Sequence, residues 1–136
     1  MMVLIRIAMI SLSLLILAAC AAAPVKESGT TEIKPAGIHE ECASVNRGQW
    51  IVYAFDASAP VDFNIHYHAG QKIFYPVEKR GVTSDSGKYE PVTEDIYCLM
   101  WTNPLKAPAS LNYRYEIHSE VKPIMPPPST RPGNVY

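Results

Sequence analysis

Residues 61–68 read Val-Asp-Phe-Asn-Ile-His-Tyr-His, apolar and polar side chains alternating without a break. Residues 111–118 repeat the pattern as Leu-Asn-Tyr-Arg-Tyr-Glu-Ile-His. Successive side chains of a strand point to opposite faces, so period two over eight residues describes a strand with one face buried. Val61, Phe63, Ile65 and Tyr67, with Leu111, Tyr113, Tyr115 and Ile117, are the expected core-facing rows. Asp62, Asn64, His66 and His68, with Asn112, Arg114, Glu116 and His118, are the expected outer rows. Residues 49–55 form a nearly continuous apolar strand, and residues 96–102 are apolar on both faces, as in a central buried strand. Turn-forming residues stand at 56–60, 69–71, 79–81 and 84–87, with a strand at 72–77 and a short one near Tyr89. Asn103-Pro104 ends the run at 102. No stretch beyond the apolar leader has a helical period. The expected fold is all-β: a small antiparallel, jelly-roll-like β-sandwich over residues 39–120.

The two ends of the chain read differently. Residues 1–19 hold one charge, Arg6, then an apolar run, and close on Leu17-Ala18-Ala19 before Cys20. A charged start, an apolar stretch and small residues before a cut site mark a secretory signal. Leu17-Ala18-Ala19-Cys20 resembles the bacterial lipoprotein box, which implies cleavage before Cys20, a diacylglycerol on its thiol and an acylated, palmitate-type amino terminus. The alternative is an uncleaved anchor, because residues 7–23 approach the length needed to span a bilayer. Ala21 after the lipidated cysteine implies the outer membrane, facing the periplasm, rather than the inner one. Residues 20–38 are small, polar and proline-containing and read as a flexible tether. Residues 121–136 hold five of the chain's 12 prolines and read as a proline-rich tail. Once Arg6 leaves with the leader, 11 basic and 13 acidic side chains remain, a net charge of −2 that argues against a nucleic-acid partner.

The strand segments also resemble a known family. A cysteine followed by Gly-Gln-Trp-Ile-Val-Tyr-Ala-Phe, then Pro-Val-Asp-Phe-Asn-Ile-His-Tyr, Tyr-Cys-Leu-Met-Trp-Thr-Asn and Leu-Asn-Tyr-Arg-Tyr-Glu-Ile is similar to the GOLD (Golgi dynamics) domain family. Gly48, Asp62 and Asn103 hold that family's marked places. The resemblance implies a jelly-roll-like sandwich and a protein- or lipid-binding module. It also implies a disulfide between Cys42 and Cys98, the two cysteines that remain once Cys20 is lipidated. Two buried free thiols are the other state open to that pair.

Catalytic signals are thin. No serine stands in a nucleophile elbow, no glycine-rich loop cradles a phosphate, and the acid pairs Asp56/Asp62 and Glu94/Asp95 sit at turns. Trp50 and Trp101 lie in apolar strands and are expected in the core. No enzymatic activity and no cofactor are expected. His66 and His68, two apart on one strand face, are the candidate metal ligands for zinc or copper. Their further ligands would come from His118, His39, Asp62 or Glu116. If the two alternating strands share a sheet, Asp62, Asn64, His66, His68, Arg114, Glu116 and His118 form one polar binding patch; an ordinary solvated face is the other reading. The expected function is a non-enzymatic, membrane-anchored envelope lipoprotein that binds a protein or an envelope component, with metal binding through His66 and His68 as the alternative.

Overall fold

The computed structural model describes residues 25–120. The leader, Cys20 and the proline-rich tail lie outside them. Six strands follow in order: β1 (Val25–Ile33), β2 (Ile38–Val45), β3 (Gln49–Ala69), β4 (Lys72–Tyr89), β5 (Asp95–Thr102) and β6 (Ala109–Ser119). All pair antiparallel, in the order β1-β6-β3-β5-β2, with β4 also on β3. The architecture is the expected all-β one, a small sandwich without helices among the described residues.

One long strand makes two layers. Residues 49–57 of β3 pair with β6 on one side, whereas residues 62–67 pair with β5. β4 follows β3 along both halves. The register slips between Asp56 and Val61, where Ser58, Ala59 and Pro60 stand. Proline has no N–H for a ladder, so it is tolerated where the ladder is interrupted, and irregular pairing lets a strand bend from one layer into the next. The result is a β1-β6-β3-β4 half laid over a β2-β5-β3-β4 half. Their inner rows meet in the core: Phe55 and Phe63 rings lie 4.8 Å apart, Tyr53 and Phe63 5.0 Å, and Phe55 stands edge-on to Trp101 at 5.7 Å. Val61, Ile65, Leu99, Leu111 and Trp101 are fully buried. Offset and edge-on aromatic contacts of this kind add to the burial of apolar area.

Three sequence expectations change. Val25–Ile33 is a strand, not part of a tether, and pairs with β6 from Val25↔Ile117 to Ile33↔Ala109. Its Gly29 lies beneath Tyr113; a Cβ there would sit 2.7 Å from the tyrosine hydroxyl. Residues 56–60 bend β3 instead of turning the chain, and 79–81 and 84–87 lie inside β4. Among the described residues β4 pairs only with β3, and a strand at such an edge accommodates Gly81, Pro76 and bulges that a central strand does not. Gly81, at φ 62°, donates its N–H to Asp62 Oδ1 at 2.9 Å. Asp62 therefore holds the irregular stretch of the β3–β4 ladder.

Candidate functional site

The bend in β3 separates the two polar rows that the sequence would join. Asp62, Asn64, His66 and His68 lie on the outer face of the β2-β5-β3-β4 half. Asn112, Arg114, Glu116 and His118 lie on the outer face of the other half, because β6 pairs with residues 49–57 of β3. The expected single patch is therefore two surfaces on opposite sides of the domain.

The β6 surface is largely self-paired. Glu116 lies 3.1 Å from both Lys26 and His118, and the hydrogen bond from Lys26 holds its carboxyl below the usual range. Thr30 Oγ1 donates to Asn112 Oδ1 at 2.7 Å, and Asn112 Nδ2 donates to Asp56 at 3.3 Å. Arg114 borders a shallow groove of about 540 Å³ with Ser28, Thr30 and Ala54. Trp50 also belongs to this outer surface rather than the core. Its ring stacks on His118 at 5.8 Å and carries Lys88 Nζ 4.5 Å from its centroid.

The other surface is built in cross-strand rows. Register places Ile38, Thr102 and Asp62 in one row, then Glu40, Met100, Asn64 and Glu78. The next row holds Cys42, Cys98 and His66, and Cys42 and Cys98 form a disulfide. Ser44 and Ile96 follow on one side, and His68 and Ile73 on the other. His66 is the unusual member: it points outward yet is only 5% exposed. Tyr75 lies against its ring at 5.6 Å and His68 at 5.4 Å. Its Nδ1 is 2.9 Å from Asn64 Oδ1, and its Nε2 is 3.4 Å from Glu40 Oε1. Burial, outweighing the attraction of Glu40 and assisted by the neighbouring His68, pushes the His66 pKa below its usual value.

That shift has a sign. The folded protein holds His66 neutral better than the unfolded chain does, so its contribution to stability is full above the unfolded pKa of about 6.5 and is lost as pH falls through the lower folded value. Denaturant melts are expected to show stability declining on acidification below about pH 6.5. In His66→Gln that decline should be shallower. Identical slopes in the two proteins would show that His66 does not carry the effect.

The metal ligands suggested by sequence do not converge. His118 and Glu116 occupy the opposite surface, and Asp62 accepts the Gly81 N–H. His39 turns inward, its ring 5.9 Å from Trp101 and 4.9 Å from Tyr113. There it lies 3.2 Å from Glu41, which accepts the Tyr113 hydroxyl at 2.6 Å. Burial, reinforced by that bond, pushes Tyr113 up to about 12. The Nε1 of Trp101 in this cluster has no hydrogen-bond partner among the described residues.

Sequence reading missed Glu40 and Glu41. Residues 38–45 have too few large apolar side chains to announce a strand, and the signal that would have found it was the cysteine pair itself. A Cys42–Cys98 bridge brings β2 beside β5, and with it Glu40 toward the β3 histidines.

No family model matches the chain, and no curated protein matches it. Among solved structures it is similar to a de novo designed double-stranded β-helix, at 17% identity and TM-score 0.38, over 68% of this chain and 99% of that one. It is also similar to the Yersinia pseudotuberculosis-derived mitogen, at 12% identity and TM-score 0.47, over 74% and 90% of the two chains. A third similar structure is Aeromonas hydrophila PliG, a periplasmic lysozyme inhibitor of g-type lysozyme, at 11% identity and TM-score 0.48, over 74% and 91%.

Proposed function

We propose that this chain is a non-enzymatic, lipid-anchored envelope protein that binds another envelope protein through the outer face of its β2-β5-β3-β4 half. One observation carries the reading: Ile38, Ile73, Tyr75 and Ile96 are all exposed on that face, around the disulfide and the buried His66. Apolar side chains gathered on one surface, with polar residues around them, suit a protein partner, whereas single scattered ones mean little. The β6 surface is instead occupied by its own ion pair and hydrogen bonds. The resemblance to GOLD domains supports binding rather than catalysis.

Cross-linking in intact cells, read by mass spectrometry, tests the face. Ile73→Glu with Ile96→Glu is expected to abolish the major cross-linked species, because two charges would enter the centre of the contact. Arg114→Glu, on the opposite surface, should leave it unchanged. Loss with Arg114→Glu alone would move the interface to the β6 side.

The anchor rests on Leu17-Ala18-Ala19-Cys20. Intact-mass analysis of the membrane fraction should show residues 1–19 removed and acyl mass added at Cys20. Cys20→Ser should accumulate as uncleaved precursor, and normal maturation of that variant would end the proposal. Two or three acyl chains make a stable attachment where a single one does not.

A further inference from the structure

The same face holds a second set of donors. β2 and β5 place Cys42 opposite Cys98, and β5 and β3 place His66 opposite Cys98. Glu40, two residues before Cys42 on β2, projects from the same side of the sheet. A carboxylate oxygen of Glu40 and the sulfurs of Cys42 and Cys98 all lie within 4.8 Å of one another. Glu40 Oε1 is also 3.4 Å from His66 Nε2. Two sulfurs and one carboxylate oxygen thus gather in one patch, and the imidazole of His66, on the neighbouring strand, reaches it through Glu40.

We propose that reduction of the Cys42–Cys98 disulfide converts this patch into a zinc-type metal site, with Cys42 Sγ, Cys98 Sγ, His66 Nε2 and a Glu40 carboxylate oxygen as ligands. Thiolate, imidazole and carboxylate are the ligands zinc takes in tetrahedral sites, and the thiolates favour zinc over hard cations. The imidazole is oriented for the role. With Oδ1 of Asn64 accepting the Nδ1 proton at 2.9 Å, the Nε2 lone pair faces Glu40. Nε2 and Glu40 Oε1 then face each other at 3.4 Å, close enough for one cation to take both as ligands. His66 is buried, which fixes the ligand, while Glu40 and Cys42 are exposed, which leaves an entry path.

The oxidation state gates the site. In the disulfide each sulfur is bonded to the other and neither is a thiolate, so only His66 and Glu40 are left as donors. A dithiol reductant supplies two electrons and two protons: its own two thiols become a disulfide and the protein bridge becomes two thiols. Binding of the divalent ion then displaces two protons, one from each cysteine. In reverse, a small-molecule disulfide takes two electrons from the two thiolates and becomes two thiols, which re-forms the protein bridge and expels the metal. The site differs from a His66/His68 pair, because it uses the cysteines and leaves His68 outside. It is also independent of the binding role proposed above, since its test requires no partner.

The test uses the full-length chain in detergent, with cobalt(II) as a spectroscopic stand-in and then zinc. Fully reduced by a phosphine, which does not compete as a thiol would, the protein should bind one metal ion per chain. The cobalt form should show thiolate-to-cobalt charge-transfer absorption, and zinc should raise the melting temperature of the reduced protein only. Asn64→Ala, which removes the orienting partner, should weaken affinity by about 10–100-fold. His66→Gln and Glu40→Gln should weaken it at least as much. The Cys42→Ser/Cys98→Ser double variant should lose binding, and undiminished binding by it would overturn the proposal. Equal binding by oxidised and reduced protein would overturn the proposal. So would undiminished binding by His66→Gln, which would mean that unfolded cysteines alone hold the ion.

Discussion

Asn103→Ala is expected to lower the stability of the domain by about 2–4 kcal/mol, more than its small change in volume would suggest. Asn103 is fully buried at the end of β5. Its Nδ2 donates to the carbonyls of Ile33 at 3.0 Å, Ala107 at 2.8 Å and Lys34 at 3.3 Å, and its Oδ1 accepts the Leu105 N–H at 3.0 Å. Its own N–H donates to Gly37 at 2.9 Å. One side chain thereby ties the β1–β2 connection to the β5–β6 connection. Alanine would leave the buried Ile33 carbonyl without this partner, at about 1–3 kcal/mol, and would remove the part-buried bonds to Lys34, Leu105 and Ala107 as well. Urea denaturation followed by circular dichroism measures the loss. A change under about 1 kcal/mol would show that water reaches and satisfies those groups.

The second large effect is expected from the disulfide. Cys42 and Cys98 are separated by 56 residues, and the loop they close contains β3, β4 and the first half of β5. Restricting a loop of that length in the unfolded chain is worth about 4 kcal/mol in the chain-entropy description. Cys42→Ala with Cys98→Ala should therefore lower the melting temperature by roughly 20 °C, at about 4–8 °C per kcal/mol for a domain of this size. The wild-type protein under full reduction should fall by a similar amount. A double variant that melts within a few degrees of the oxidised protein would show that the β2–β5 ladder restricts the chain without the bridge. The two large predictions act on different states. Asn103 removes interactions from the folded protein, whereas the disulfide limits the unfolded one.

Much of the fold was legible because alternation reports burial residue by residue. Phe63, Ile65, Leu111 and Ile117 are buried as their pattern required, and Trp101 lies in the centre of the core. Trp50, equally apolar in type, belongs to the outer surface, where His118 covers one face of its ring. Residue type alone did not separate the two tryptophans; their places on the strands did. The same limit applied to His66. Period two directs it outward, but it does not show that Tyr75, Asn64 and Glu40 close around it.

The sequence by itself determined an antiparallel sandwich, its central rows and the end of β5 at Asn103. These follow from local rules: which side chains avoid water, and which residues interrupt a ladder. Tertiary structure alone decided which strands are neighbours. It recruited Val25–Ile33 as an edge strand, although most of its side chains stay exposed and leave no hydrophobic trace. It turned residues 58–60 into a bend, which sends the histidine row and the Arg114 row to opposite faces. It also brought Glu40 to His66 across β5. Strand pairing is a contact between residues far apart in the chain, chosen by how two complete inner faces pack against each other. No window of sequence contains both partners of that choice.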